Sequence, residues 1–195
     1  MIESPRRVAV AIAAVASALL VIWHRSADAE VYRNKEFGIN VSVPHDLPTC
    51  SGATDQHDHG IAIYLDPSDA RGCGVLEGRR SVSIFASYNV ADETRTLTDY
   101  LNWTCHDVLK GQCVAAPKGL RIAGLPSAAR QVNRSDGWIA VVVLAQGGRV
   151  PNQRPDDFTG AVNYSVTLRT DQAHLGDDLS KLEGLLRNLR LNPPK

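Results

Sequence analysis

The chain has 195 residues, with 21 basic and 21 acidic side chains and a formal net charge of zero at pH 7. This balance provides no basic stripe for neutralising phosphates, which argues against a nucleic-acid partner. It also provides no polybasic segment of the kind that holds proteins on anionic membranes.

The N-terminal segment predicts export. An uncharged apolar run, Val8 to Trp23, follows two arginines, and the small-x-small sequence ADA ends at Ala29. These features describe a secretory signal peptide with cleavage between Ala29 and Glu30. An uncleaved anchor is the alternative, but a membrane span needs roughly 20 apolar residues and this run is shorter. We therefore expect residues 1–29 to be removed, leaving a periplasmic or secreted protein without membrane attachment.

Cysteine content predicts two disulfide bonds. All four cysteines follow the leader, and an even number in an oxidising compartment indicates a disulfide framework. Among the possible connectivities we favour Cys50–Cys73 with Cys105–Cys113, because each bond closes a local loop. Such a bond contributes about 2–4 kcal/mol, mainly by restricting the unfolded chain. The spacing contains no C-x2-C pair, which disfavours a zinc site made of cysteines.

Alternation of apolar and polar residues predicts three strands in the first half of the domain. The segments EFGINVSVP (36–44), GIAIYL (60–65) and RRSVSIFASYN (79–89) each place their apolar side chains mainly on one face. Pro44 ends the first of them, since proline cannot continue the hydrogen-bond ladder of a sheet interior.

The apolar period then becomes helical. Leu97, Leu101 and Val108 share one face of a helix. A capping box is available at Thr96, because an acidic residue follows it three positions later. We predict a helix that runs from Leu97 to about Leu109.

Strand patterns return in the second half. The segments RIAGLPSAARQV (121–132), GWIAVVVLAQG (137–147) and VNYSVTLRT (162–170) predict three more strands, the middle one apolar on both faces. A leucine stripe then predicts a C-terminal amphipathic helix, in which Gly184 has no evident role. The stripe consists of Leu175, Leu179, Leu182, Leu186 and Leu189.

The predicted order of elements is βββ-α-βββ-α, and short connections favour antiparallel pairing. A chain of this length suffices for one domain with its own core. The sequence therefore predicts a single disulfide-stabilised α+β domain over residues 30–195, an antiparallel β-sheet with helices packed on it.

Several segments are similar to elements of a known superfamily. FGINVSVP resembles an opening strand that runs into a proline, and TLTDYLNW resembles a first helix. LRIAGLPSAARQV with GWIAVVVLAQGG resembles a hairpin, and NYSVTLRT the last strand. With the C-terminal leucine helix, these segments resemble the Mog1/PsbP-like superfamily over most of Glu30 to Leu191. The resemblance implies an α/β/α sandwich.

Members of that superfamily are generally non-enzymatic. They include photosystem accessory subunits, small-GTPase-binding factors, and bacterial chaperones or envelope proteins. The resemblance therefore implies a binding module more than a catalyst, although a fold does not by itself determine function. This chain departs from the superfamily in its four cysteines and in a histidine-rich loop.

The histidine-rich loop TDQHDHG, residues 54–60, suggests a metal site. On a strand, His57 and His59 would project from the same face and could hold Zn or Cu. An aspartate or the distant His106 or His174 would have to complete the ligand set. A polar loop held by the neighbouring disulfide, or one that recognises a partner, is the alternative. No other cofactor is predicted.

Catalytic residues are not evident, so the sequence predicts a non-enzyme. The chain has no G-x-S-x-G elbow and, with all cysteines bridged, no free thiol nucleophile. The carboxylate pair Asp177–Asp178 falls in the first turn of a predicted helix, where negative charge favours the helix dipole.

Aromatic residues on the first helix suggest a partner-binding site. Trp103 falls off the face that carries Leu97 and Leu101, and it lies three residues from Tyr100. The pair either packs against a second buried surface, the usual place for tryptophan, or forms an exposed contact patch.

Together these features predict an exported, disulfide-stabilised binding protein of the cell envelope that acts through a protein partner. An immunity or inhibitor protein directed at a toxin or hydrolase is a sharper form of this prediction. A metal-binding periplasmic protein built on His57 and His59 is the alternative function.

Overall fold

In a computed structural model, antiparallel sheets and two α-helices make up the part of the fold that the structure describes. The structure describes residues 29–53, 58–69, 73, 79–88, 96–148 and 162–192. The predicted α+β class is confirmed. The strands are β1 Ala29–Arg33, β2 Ile39–Pro44, β3 Thr49–Ala53, β4 Asp58–Tyr64, β5 Ser81–Tyr88, β6 Gln112–Ala115, β7 Ser127–Asn133, β8 Trp138–Gln146, β9 Val162–Asp171 and β10 Arg190–Leu191; the helices are α1 Leu97–Trp103 and α2 Leu175–Asn188.

The larger sheet has seven strands in the order β3-β4-β5-β9-β8-β7-β6, and every neighbouring pair is antiparallel. The strand β9 lies at its centre, between β5 from the first half of the chain and β8 from the second. A smaller sheet has the order β1-β2-β10 and is also antiparallel. Pairing of β5 with β9 thus joins the two halves of the chain through main-chain hydrogen bonds.

One face of the larger sheet carries the hydrophobic core. Along β9 every second residue from Val162 to Thr170 is buried, as the sequence pattern predicts. The register places Val166 opposite Ile84 of β5 and Val143 of β8, so the core face is continuous across three strands. The segment around β2 and the helix α2 cover this face with buried side chains: Phe37, Ile39, Val41, Val43, Leu182, Leu185 and Leu186.

Helix α2 packs on the core through the predicted leucine stripe. Leu182 and Leu186 are buried, and Leu179 packs against the core from a partly buried position. Leu189 is also buried, but it lies just after the last helical residue. Among the described residues, no helix has the length and apolar character needed to cross a lipid bilayer.

Helix α1 begins with the predicted capping box, and the helical segment reaches Val108, close to its predicted end. Asp99 N donates to Thr96 Oγ1 at 3.2 Å, and Thr96 N donates to Asp99 Oδ2 at 3.0 Å. The α-helix ends at Trp103 and continues as one π-helical turn, Thr104–Val108. The wider turn accompanies the burial of Cys105 against the sheet, which fixes the position of that side chain.

Four strands are missing from the sequence prediction, and the strand predicted at 121–132 begins six residues later than predicted. The strands β1, β3, β6 and β10 lie at the edges of the two sheets and have at most five residues, too few to show a clear alternation. The pattern at 121–126 predicts strand, but Ala123 and Gly124 have positive φ angles of 45° and 78°. The chain therefore turns there, and β7 begins at Ser127.

Disulfide bonds join the two pairs that the sequence favours. The Cα atoms of Cys50 and Cys73 are 5.4 Å apart, and those of Cys105 and Cys113 are 5.6 Å apart. Cys50 lies in β3 and Cys113 in β6, the two edge strands of the larger sheet. Each bond therefore ties an edge strand to a residue outside that sheet, Cys73 in a turn and Cys105 in the helical segment after α1.

A buried polar cluster holds the start of α2. Asp178 is fully buried, and its carboxylate oxygens accept from Arg80 Nη1 at 3.0 and 3.1 Å. The Thr170 hydroxyl donates to the same carboxylate at 2.6 Å, and Lys181 Nζ lies 3.5 Å from it. By sequence Asp177 and Asp178 are equivalent, whereas the structure exposes the first and buries the second.

Replacing Asp178 by alanine should lower the free energy of unfolding by about 3 kcal/mol, because the largely buried Arg80 then keeps only the partly exposed Asp66 carboxylate, 3.7 Å away. Urea unfolding followed by circular dichroism measures the loss. Asp177→Ala, at the exposed neighbouring position, is the matched control and should change the same quantity by less than about 0.5 kcal/mol. Equal losses at the two positions would contradict the role of the cluster.

Two glycines in different surroundings should respond in opposite ways to alanine. Gly60 has a φ of 143°, and a Cβ there would overlap the Ile84 carbonyl oxygen, so Gly60→Ala should destabilise the domain. A Cβ at Gly184 would meet only Arg187 Nη2, at 3.9 Å. Gly184→Ala should therefore stabilise the domain by up to about 1 kcal/mol through helix propensity. Thermal unfolding measures the change in melting temperature of both variants. A lower melting temperature for Gly184→Ala would contradict the conclusion that a methyl group fits at this position.

Candidate partner-binding surface

The second face of the larger sheet lies under helix α1, which packs against β7 and β8. A cavity of about 200 Å³ remains between the helix and the sheet. We call this cavity the α1 groove. Its helical wall consists of Leu97, Tyr100, Trp103 and Thr104, and its floor includes Ser87, Leu144, Asn163 and Ser165.

Trp103 stands at the groove with 49% of its surface exposed. Of the two arrangements predicted for the Tyr100–Trp103 pair, the tryptophan thus adopts the exposed one, and Tyr100 is partly buried. Among the described residues, the exposed large apolar side chains are Val31, Trp103 and Val108. Two of these three lie on the short segment formed by α1 and its π-helical turn.

The floor of the α1 groove contains a hydrogen-bond acceptor. Asn163 lies on the second face of β9, opposite Ser87 of β5 and Gln146 of β8. Its side-chain oxygen Oδ1 is buried and has no hydrogen-bond partner among the residues that the structure describes. Such an atom costs about 1–3 kcal/mol when it is left unpaired. A ligand that brings an N–H or O–H donor would remove this cost.

The helical wall is fixed at both ends. The capping box at Thr96 holds its first turn, and the Cys105–Cys113 bond ties its last turn to β6. Between them, the Thr104 hydroxyl donates to the Tyr100 carbonyl oxygen at 2.8 Å. Trp103 is therefore presented from a segment with little freedom to move, which lowers the entropy that binding would cost.

Tyr164, which also borders the groove, connects the larger sheet to the segment before β2. Its hydroxyl donates to the Phe37 carbonyl oxygen at 2.9 Å, and both groups are buried. Burial raises the pKa of Tyr164 above its ordinary value, because the charged phenolate is poorly solvated there.

The histidine-rich loop lies partly outside the described residues, and His57 is among those outside. His59 lies in β4 with its Nδ1 3.2 Å from the Ala86 carbonyl oxygen, so an N–H on that nitrogen can donate to the main chain. Its ring stacks on Phe37 with centroids 5.9 Å apart. His59 therefore borders the core, and the Zn or Cu site at His57 and His59 stays a prediction.

The other histidine for which the structure gives a partner serves the turn before α2. His174 Nδ1 lies 2.8 and 3.0 Å from the two carboxylate oxygens of Asp171. This hydrogen bond holds the pKa of Asp171 below its ordinary value. Within the described ranges, no three or more His, Cys, Asp or Glu side chains are grouped so that they could hold a metal ion.

Tyr100 and Trp103 are predicted from the sequence, but the sheet residues that face them are not. Ser87, Asn163 and Ser165 come from two strands that are distant in sequence, and the register of β5 with β9 brings them together. The sequence does indicate which residues of β9 could line such a site. The polar residues of its alternating pattern must lie on the face opposite the core.

These features define an α+β sandwich that presents an aromatic helix beside a groove. No model of a known protein family matches the sequence, and no curated protein matches it. Among solved structures, the chain is similar to the solution structure of cyanobacterial PsbP (CyanoP) from Synechocystis sp. PCC 6803. The TM-score is 0.41 at 12% sequence identity, over 85% of this chain and 94% of the other.

Burial of Tyr164 predicts a loss of stability at alkaline pH. The folded state favours the neutral phenol. The contribution of Tyr164 to the free energy of unfolding is therefore complete below about pH 10, where an unfolded tyrosine begins to ionise, and it is lost as the pH rises further. Tyr164→Phe should remove this alkaline loss. At neutral pH it should lower the free energy of unfolding by about 1–2 kcal/mol, because the Phe37 carbonyl loses its donor.

Urea unfolding of the wild type and of Tyr164→Phe, at neutral pH and above the ordinary tyrosine pKa, measures both effects. Tyr100→Phe is the control, since it also removes one tyrosine hydroxyl, and it should keep the alkaline loss. An equal alkaline loss in wild type and Tyr164→Phe would contradict the prediction.

Proposed function

We propose that this protein is an exported, non-enzymatic binding protein of the cell envelope that holds a protein partner through the α1 groove. The observation that supports the proposal is the 49% exposure of Trp103 on a helical segment braced by a disulfide bond. Tryptophan and tyrosine are the residue types most enriched among the side chains that dominate binding energy at interfaces. An exposed tryptophan beside a groove is therefore an anchor for another protein.

The chemistry of the groove describes the partner segment. The rings of Tyr100 and Trp103, with Leu144, favour an apolar side chain in a space of about 200 Å³. The floor favours a donor, because Asn163 Oδ1 is a buried acceptor without a partner in the described part of the chain. An extended or looped protein segment provides both, since its main-chain N–H groups flank each side chain.

Export is supported by the leader pattern and by the disulfide bonds. Disulfides persist in the periplasm and outside the cell, whereas the cytosol keeps thiols reduced. An immunity or inhibitor protein is the finer form of the proposal, in which the partner is a toxin or hydrolase of the envelope. A rigid domain with one projecting aromatic anchor suits that role, because such a surface can occupy the cleft of an enzyme.

Site-specific photo-crosslinking in intact cells identifies the partner. A photoreactive residue in place of Tyr100 should form a crosslink with one envelope protein. The same residue in place of Val31, which is 44% exposed on β1 of the smaller sheet, should not. The crosslinked protein is then purified for affinity measurements. Identical crosslinks from both positions would contradict binding at the α1 groove.

Trp103→Ala should weaken binding of the purified partner by at least about 30-fold, equivalent to about 2 kcal/mol, as expected for an aromatic anchor. It should lower the free energy of unfolding by less than about 1 kcal/mol, because half of the side chain is already exposed in the folded state. Isothermal titration calorimetry and urea unfolding measure the two effects.

Val31→Ala is the matched control for an exposed apolar residue and should change neither quantity. Unfolding of Trp103→Ala would indicate that the ring is structural, and unchanged affinity would remove the groove from the interface. For the inhibitor form, saturating protein should abolish the activity of a captured toxin or hydrolase, while Trp103→Ala should not. Undiminished activity in the wild-type complex would restrict the function to binding.

A further inference from the structure

A second cavity lies on the side of the molecule that carries α2. It has a volume of about 390 Å³ and lies between α2 and the connection from β6 to β7. We call it the basic cleft. It is lined by Lys118, Gly119, Leu120, Arg121, Glu183, Leu186 and Arg187.

The basic cleft carries an excess of positive charge in a chain whose formal net charge is zero. Its lining has three cationic side chains and one carboxylate. Glu183 lies 3.9 Å from Arg187, and both side chains are largely exposed, so this pair neutralises the cleft only weakly. Lys118 and Arg121 form no ion pair with any residue in the described ranges.

Arg187 is not required to satisfy the end of α2. Basic side chains in a last helical turn commonly pair with the terminal carbonyl groups. Here Arg190 does so, because its Nη1 donates to the carbonyl oxygens of Arg187 at 2.6 Å and Leu189 at 3.0 Å. The guanidinium of Arg187 therefore remains available to the cleft.

The loop that presents Lys118 and Arg121 is held in one conformation. Ile122 is buried, and its N–H donates to Ser127 Oγ at 3.0 Å, while the Ser127 hydroxyl donates to the Leu125 carbonyl oxygen at 2.9 Å. Ala123 has a φ of 45°, in the left-handed region that side chains other than glycine rarely adopt. Backbone strain of this kind concentrates at functional sites.

We infer that the basic cleft binds a small organic anion. Its carboxylate or phosphate group pairs with Lys118 and Arg121, since the guanidinium fork matches the geometry of both oxyanions. Its apolar part lies against Leu120 and Leu186, which are 7% and 8% exposed. The cavity has the size of small-molecule sites, which range over roughly 300–1,000 Å³. The inference is independent of the partner proposed for the α1 groove.

Calorimetric titration of the purified protein with hexanoate, hexyl phosphate and inorganic phosphate tests the inference. Saturable binding of one hexanoate or one hexyl phosphate, weakened by added salt, is the expected result, and the tighter of the two identifies the oxyanion. Inorganic phosphate should bind more weakly, because it lacks the apolar part. Absence of saturable binding by both hexyl compounds, or equal affinity for inorganic phosphate, would overturn the inference.

Arg121→Gln should weaken binding of the hexyl ligand at least tenfold, since it removes the charged fork while the exposed side chain leaves folding intact. Lys110→Gln is the control, because it removes an exposed cation beside the π-helical turn, away from the cleft lining. Equal affinities for Arg121→Gln and wild type, or equal losses in both variants, would overturn the inference. Trp103→Ala should bind the anion normally, which separates this test from that of the proposed function.

Discussion

The pairing of β9 with β5 and β8 is the interaction on which the rest of the structure depends. Strand side chains alternate between the two faces of a sheet, so one register determines both faces together. It places Val166 and the other buried residues of β9 on the face under α2. It places Asn163 and Ser165 on the opposite face, under α1. A shift of one residue would exchange these sets. The hydrophobic core and the candidate partner surface are thus specified by the same ladder of hydrogen bonds.

The polar cluster around Asp178 adds the specificity that a leucine stripe lacks. Apolar contacts are not directional, so a stripe alone permits a helix to slide along a sheet. The Asp178 carboxylate has one position in which Arg80 and the Thr170 hydroxyl can both donate to it. The cluster therefore fixes α2 against β9 and the start of β5, and with it the wall of the basic cleft.

Features that are local in sequence could be predicted, and those that depend on distant contacts could not. The alternating strands and the leucine helix show their periodicity over many consecutive residues, and the capping box at Thr96 can be recognised from only four residues. The edge strands are too short for a period. The turn at Ala123 depends on a hydrogen bond from the Ile122 N–H to Ser127 Oγ, which the alternation of apolar and polar residues does not reveal. Arg80 and Asp178 are 98 residues apart, so no pattern connects them. At the α1 groove, the sequence supplies the helical wall, while the floor requires the sheet register.

The position of the cysteines has a consequence for how the protein avoids association with itself. Edge strands have unpaired main-chain groups and can pair with other chains. The edges of the larger sheet, β3 and β6, have only five and four residues, and each carries one half of a disulfide bond. If either detached, the longer β4 or β7 would become a new, open edge. The two bonds therefore protect the sheet against edge-to-edge aggregation, and a chain kept in a reducing compartment would lose this protection at both edges together.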